Sequence, residues 1–205
     1  MKKAQNVALA IGFTIAALVI ARRGQQNTGS AGIGRTETFP VDGGSSEHVE
    51  GVAYEMLQAA ITDERVEILA EQVLKSYGKD FAPSYDAAWA LHDFVNNRVP
   101  TKPDPENFEY MTDPGTVSDE IRSNGHLPHL DCDDKGILLA SLYRSVGFNA
   151  TVCFMDIDGD GQIDHAMTLV DIPGQGPTYA ETTVPGKPLG WAPKYAFAEC
   201  LVLEG

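Results

Sequence analysis

The apolar positions divide the chain into stretches of different period. Residues 7–21 are a run of fifteen in which only Gly12 and Thr14 interrupt the apolar character. Residues 24–46 (GQQNTGSAGIGRTETFPVDGGSS) show no period and are rich in Gly, Ser, Thr and Gln. From 47 to about 77 the spacing is helical, with Val52, Met56, Ala59 and Ala60 on one face. After a break at Thr62-Asp63 comes a second face of Ile68, Leu69, Val73 and Leu74. Ser84-Tyr85-Asp86 opens a third helix, with Ala88, Leu91, Phe94 and Val95 inward. It must stop at Val99, because a residue before proline avoids the helical region. Residues 100–130 read as loop, with Pro100, Pro103, Pro105, Pro114 and Pro128.

The pattern changes again after Leu130. Asp131 is a good N-cap, and Asp134 lies where a capping box places its acid. Gly136 to Tyr143 is apolar nearly all round, which predicts a buried central helix, and Gly147 is a natural stop. Residues 150–155, 166–172 and 178–183 then read as strands, the first two as a hairpin. Helices followed by strands predict an α+β fold.

Charge refines the domain plan. The chain carries a formal −14, and all 29 acidic side chains lie after residue 23. Residues 1–23 hold Lys2, Lys3, Arg22 and Arg23 around the apolar run. A basic, apolar head on an acidic body predicts an N-terminal membrane anchor over 1–23. Residues 24–46 follow as a flexible linker and 47–205 as the folded domain. The apolar run of 7–21 spans roughly 22 Å as a helix, near the lower limit for crossing a bilayer. A cleaved signal peptide, giving a secreted protein, is the alternative, although Arg22-Arg23 falls where the cleavage region should be small and neutral. The acidic body argues against nucleic acid as a partner, since phosphate recognition needs a basic face. Cys132, Cys153 and Cys200 allow one disulfide at most, and the sequence does not choose it.

The candidate chemistry lies in the last third of the chain. Cys132 falls in the first turn of the central helix, where free N–H groups favour a thiolate and can hold an oxyanion. Asp131, Asp133 and Asp134 flank it and oppose thiolate formation. His165 begins a strand, and Glu181 sits in the next one with a carboxylate able to orient the imidazole.

The ordered segments Asp131-Cys-Asp-Asp134, Leu138–Phe148, Asp164-His-Ala-Met-Thr-Leu-Val170, Tyr179-Ala-Glu-Thr-Thr183 and Trp191 resemble the transglutaminase-like superfamily. The resemblance implies a papain-like core, with a helix carrying the nucleophile packed on an antiparallel sheet. It implies a triad of Cys132, His165 and Glu181, and acyl transfer or hydrolysis of peptide or amide bonds in a protein or peptide substrate. Glu181 departs from the family's commoner Asp. For the oxyanion hole the polar candidates are Asn124, His126 and His129.

Residues 156–164 (DIDGDGQID) match the first nine positions of a calcium-binding loop. Asp156, Asp158, Asp160 and Asp164 would be the ligands of a Ca2+ ion, but position twelve is Met167 rather than the bidentate Glu. An acidic hairpin turn explains the same residues without a metal.

Two functions fit the sequence. One is a membrane-anchored thiol enzyme that needs no cofactor for catalysis. The other is a catalytically inactive protein keeping the same fold as a structural or binding module, such as a minor component of a virion or envelope.

Overall fold

A computed structural model describes residues 36–40, 46–105, 108–124 and 130–203. Three helices come first: α1 (Ser46–Ala60), α2 (Glu64–Ser76) and α3 (Tyr85–Arg98). Their ends follow the local signals. The Asp63 carboxylate accepts the Arg65 backbone N–H at 2.9 Å, and the Ser84 hydroxyl accepts that of Ala87 at 3.1 Å. Val99 is extended ahead of Pro100, which ends α3. On α1 the buried face is Val52, Ala53, Met56, Leu57 and Ala60, whereas Ala59 is exposed. The face expected from spacing is therefore rotated slightly, because Leu57 buries far more apolar area than Ala59 could.

The proline-rich stretch holds more regular structure than its composition suggests. It contains β2 (Phe108–Thr112) and α4 (Pro114–Asn124). Pro114 is no obstacle at the first helical position, where its missing N–H is not needed. β2 pairs antiparallel with β1 (Thr36–Pro40). β1 lies inside the span assigned to a linker, so the sequence boundary at 46 is too late. A strand needs only a partner for its backbone groups, and linker-like composition does not reveal one. The anchor segment 7–21 lies outside the described residues. Among the described residues no helix is long and apolar enough to cross a membrane.

The centre of the fold is α5 (Cys132–Val146), in which every residue from Asp133 to Tyr143 is buried. It ends at Gly147, whose φ of 99° only glycine adopts without strain. α5 packs on one side against α2 and α3 and on the other against a four-stranded antiparallel sheet. That sheet comprises β3 (Asn149–Asp156), β4 (His165–Ile172), β5 (Gly176–Ala180) and β6 (Phe197–Cys200), in the order β5-β4-β3-β6. The helix is pinned to it where the Thr168 hydroxyl donates to the Gly136 carbonyl at 2.9 Å. The architecture is the α+β arrangement expected: helices first, then an antiparallel sheet carrying the central helix.

β6 is not legible as a strand in the sequence, since it is four residues long at a sheet edge. It places Cys200 directly opposite Cys153, and the two form a disulfide. Cys132 is left as the free cysteine.

Candidate active site

Three segments of chain converge at one end of α5. Cys132 is the first residue of that helix and is partly buried. The Ala166 backbone N–H donates to its sulfur, which sets the thiol against the start of β4, one residue from His165. His165 Nε2 lies 2.8 Å from Glu181 Oε2. With a carboxylate on Nε2, that nitrogen carries the proton, and Nδ1 is left as the acceptor.

Glu181 lies just past the end of β5 and not in mid-strand as its pattern suggested. It is fully buried. Its second oxygen, Oε1, accepts the Thr183 N–H at 2.6 Å, the Thr183 hydroxyl at 2.7 Å and the Val184 N–H at 3.2 Å. Burial raises the carboxyl's pKa, but the hydrogen bonds from His165 and Thr183 outweigh it and bring the value down to about 2. Leaving the strand is what makes this possible, since the turn at 181–184 aims two backbone amides at one oxygen.

The helix N-terminus does not win at Cys132. Burial pushes the thiol well above its ordinary value, and the charges of Asp133 and Asp131 push it further. The Ala166 N–H works the other way. Nor does the capping box form, because Asp131 makes no side-chain cap bond. Asp134 Oδ1 instead accepts the Thr112 N–H at 2.9 Å, tying α5 to β2. Of the expected oxyanion donors, His126, His129 and the Asn124 side chain lie outside what is described.

Two buried side chains of the site escape a sequence reading. His92 of α3 is 2 % exposed, and its Nε2 sits 2.7 Å from the Glu181 carbonyl oxygen. Burial lowers its pKa, so the ring is neutral and Nε2–H is the donor. The available signal was a polar residue on the apolar face of a helix, four positions after Ala88. Lys135 is fully buried, and its Nζ donates to the Val99 carbonyl at 3.0 Å and to Thr101 Oγ1 at 2.9 Å. It thereby closes the C-terminus of α3. Burial lowers its pKa to about 8, with the Glu181 charge acting against that.

The turn at 157–164 brings oxygens of Asp156, Asp158 and Asp164 within 4.8 Å of one another, and Asp160 is not in that group. Asp156 accepts the Gly159 and Gly161 amides, and Asp160 Oδ1 accepts the Gln162 amide. Met167 is buried within β4 and supplies no ligand.

No protein-family model and no curated protein matches the chain. Among the solved structures similar to it are three of low identity. A "putative protease" from Parabacteroides distasonis shows 16% identity and a TM-score of 0.45 over 68% of this chain. An arylamine N-acetyltransferase from Mycobacterium abscessus shows 13% and 0.40 over 62%. A "putative cysteine protease" from Cytophaga hutchinsonii shows 17% and 0.42 over 73%. The chain spans 27%, 46% and 56% of their respective lengths.

Proposed function

We propose that this chain is a transglutaminase-like thiol enzyme, with Cys132 as nucleophile, His165 as its base and Glu181 as the group that orients the base. The observation that carries the reading is the His165 Nε2 to Glu181 Oε2 bond at 2.8 Å, formed beside a free thiol at a helix start. A purely structural domain has no need of a buried ionised carboxylate aimed at an imidazole.

In this reading His165 Nδ1 takes the Cys132 proton as the sulfur bonds to an amide carbonyl carbon of a protein or peptide. The carbonyl electron pair moves to oxygen, where free N–H groups at the start of α5 face it. On collapse the C–N bond breaks, the imidazolium protonates the leaving amine, and a thioester remains. Water then gives hydrolysis, or an amine gives a crosslink. Because burial and two carboxylates hold the thiol up, Cys132 begins as S–H, and proton transfer accompanies attack. The same upward push is what favours the second reading, an inactive module on the same fold.

The domain is tethered to a membrane through residues 7–21. The Cys153–Cys200 disulfide supports reading the tethered domain as one that works in an oxidising, extracytoplasmic compartment. Catalysis uses no cofactor. A Ca2+ ion on Asp156, Asp158 and Asp164 would serve only to stiffen the turn leading into His165.

An electrophilic amide or thioester probe tests the assignment. A covalent adduct on Cys132 that Cys132→Ser abolishes and His165→Ala slows supports it. No adduct from any acyl probe, in a protein shown to be folded, leaves the inactive module.

A further inference from the structure

Lys135 follows Cys132 by one helical turn on α5 and is fully buried. Its Nζ donates to the Val99 carbonyl at 3.0 Å and to Thr101 Oγ1 at 2.9 Å. The segment it holds runs beside the residue that leads into Asp131 and Cys132. Thr101 bridges Leu130 in parallel, and the Lys102 N–H donates to the Leu130 carbonyl at 3.1 Å. Those bonds explain a donor at position 135 but not a charge. A neutral donor would serve both oxygens, and a buried ammonium is costly unless a negative group answers it. Burial holds the ammonium's pKa at about 8, below the ordinary 10.5. The fold therefore carries the full cost of that charge below about pH 8, and sheds it only as the amine loses its proton between about 8 and 10.5.

The negative group that answers it is Glu181. That carboxylate is fully buried and ionised, and its charge opposes the fall in the Lys135 pKa. Among the described residues its ion-pair contact is with His165. A base, however, is uncharged until it takes the thiol proton, so in the resting site His165 supplies a hydrogen bond and no counter-charge. His92 faces the same buried space from α3, on the Glu181 carbonyl at 2.7 Å. Burial lowers its pKa, and the Lys135 charge lowers it further, so it too is neutral. Of these four groups, from α5, α3, β4 and the turn after β5, Lys135 holds the one positive charge and Glu181 the one negative.

We infer that Lys135 is a positioning residue of the site, its ammonium serving as the buried counter-charge that keeps the Glu181 carboxylate ionised while His165 is neutral. The ionised carboxylate in turn keeps the proton on His165 Nε2 and leaves Nδ1 free to act as the base. The consequence at His165 rests on the proposed function; the pairing of Lys135 with Glu181 does not.

Two measurements on the full chain test it, with circular dichroism as the check on folding. The first is a double-mutant cycle of Lys135→Gln and Glu181→Gln in urea at pH 7. Gln at 135 keeps N–H donors and loses the charge, and Lys135→Met is run beside it so that one misfolded protein does not decide the outcome. The double variant should be less destabilised than the two single effects combined, by about fivefold or more in the unfolding equilibrium constant. Additive effects overturn the pairing. The second is the rate of Cys132 alkylation against pH. Removing a positive charge favours the imidazolium, so Lys135→Gln should move the acid limb upward by about 0.5 pH unit or more. Thr101→Val removes a hydrogen bond and keeps the charge, and should leave the limb in place. A limb that Lys135→Gln does not move, or that Thr101→Val moves as far, overturns the positioning role. Alkylation indifferent to His165→Ala would instead retire the enzyme reading, and the cycle would still decide the pairing.

Discussion

His92 on α3 donates through Nε2 to the backbone carbonyl of Glu181 at 2.7 Å, across 89 residues of sequence. The bond reaches the far side of the residue whose carboxylate holds His165. Two neighbours extend the same contact, with Asn96 Nδ2 donating to the Lys187 carbonyl and Asn97 Oδ1 accepting the Gly186 N–H. One edge of α3 therefore holds the whole turn from Glu181 to Lys187. In the proposed enzyme His92 is a positioning residue, acting on His165 through Glu181.

Replacing His92 by Ala orphans a buried carbonyl, which costs about 1–3 kcal/mol of stability. It should also slow Cys132 alkylation by releasing Glu181 and with it His165. His92→Gln keeps an N–H donor of similar reach and should restore much of the rate. Equal rates in all three proteins would show that the contact only supports the fold.

Labelling under non-reducing conditions should modify one thiol per chain, at Cys132, because Cys153 and Cys200 are bonded to each other. After reduction and unfolding, three should react. If His165 is the base, His165→Ala slows the native reaction at neutral pH by at least ~10-fold, within the range of general-base assistance. Mass spectrometry of the labelled peptides gives both answers.

Glu181 makes stability depend on pH. Its folded pKa of about 2 lies below the ordinary 4.5, so its contribution is present above about 4.5 and is lost as the pH falls toward 2. At about 1.4 kcal/mol per unit, the shift corresponds to roughly 3 kcal/mol at neutral pH. Glu181→Gln should be less stable than the parent by that order at pH 7, and the gap should close below about pH 3. Urea melts across pH measure it. A gap that stays constant with pH would show that Glu181 acts through packing rather than charge.

The disulfide closes a loop of 47 residues. By loop-closure entropy, opening it costs up to about 4 kcal/mol. Melting with and without a phosphine reductant should show the loss, and Cys153→Ala with Cys200→Ala should reproduce it. The double variant should keep the native rate at Cys132, since both cysteines pack in a different apolar cluster from Cys132.

The sequence alone specified the pieces whose causes are local. The starts of α2 and α3, the stop at Val99 and the turn at Gly147 follow from capping and backbone preference. The uniform apolar run of α5 declared a buried helix, and the order Cys132, His165, Glu181 named a helix start, a strand start and the acid whose carboxylate bonds that histidine. Where the cause is a partner far along the chain, only the tertiary structure decided. β1 and β6 exist because other strands supply their hydrogen bonds. Cys153 finds Cys200 through strand register, and His92 and Lys135 are visible as site residues only once Glu181 and Val99 are beside them. The acids around Cys132 show the limit most sharply. Their number was plain in the sequence, but a charge's effect depends on burial and on what faces it. It took the fold to show that Asp131 makes no side-chain cap bond and that Asp131 and the buried Asp133 both raise the pKa of the thiol.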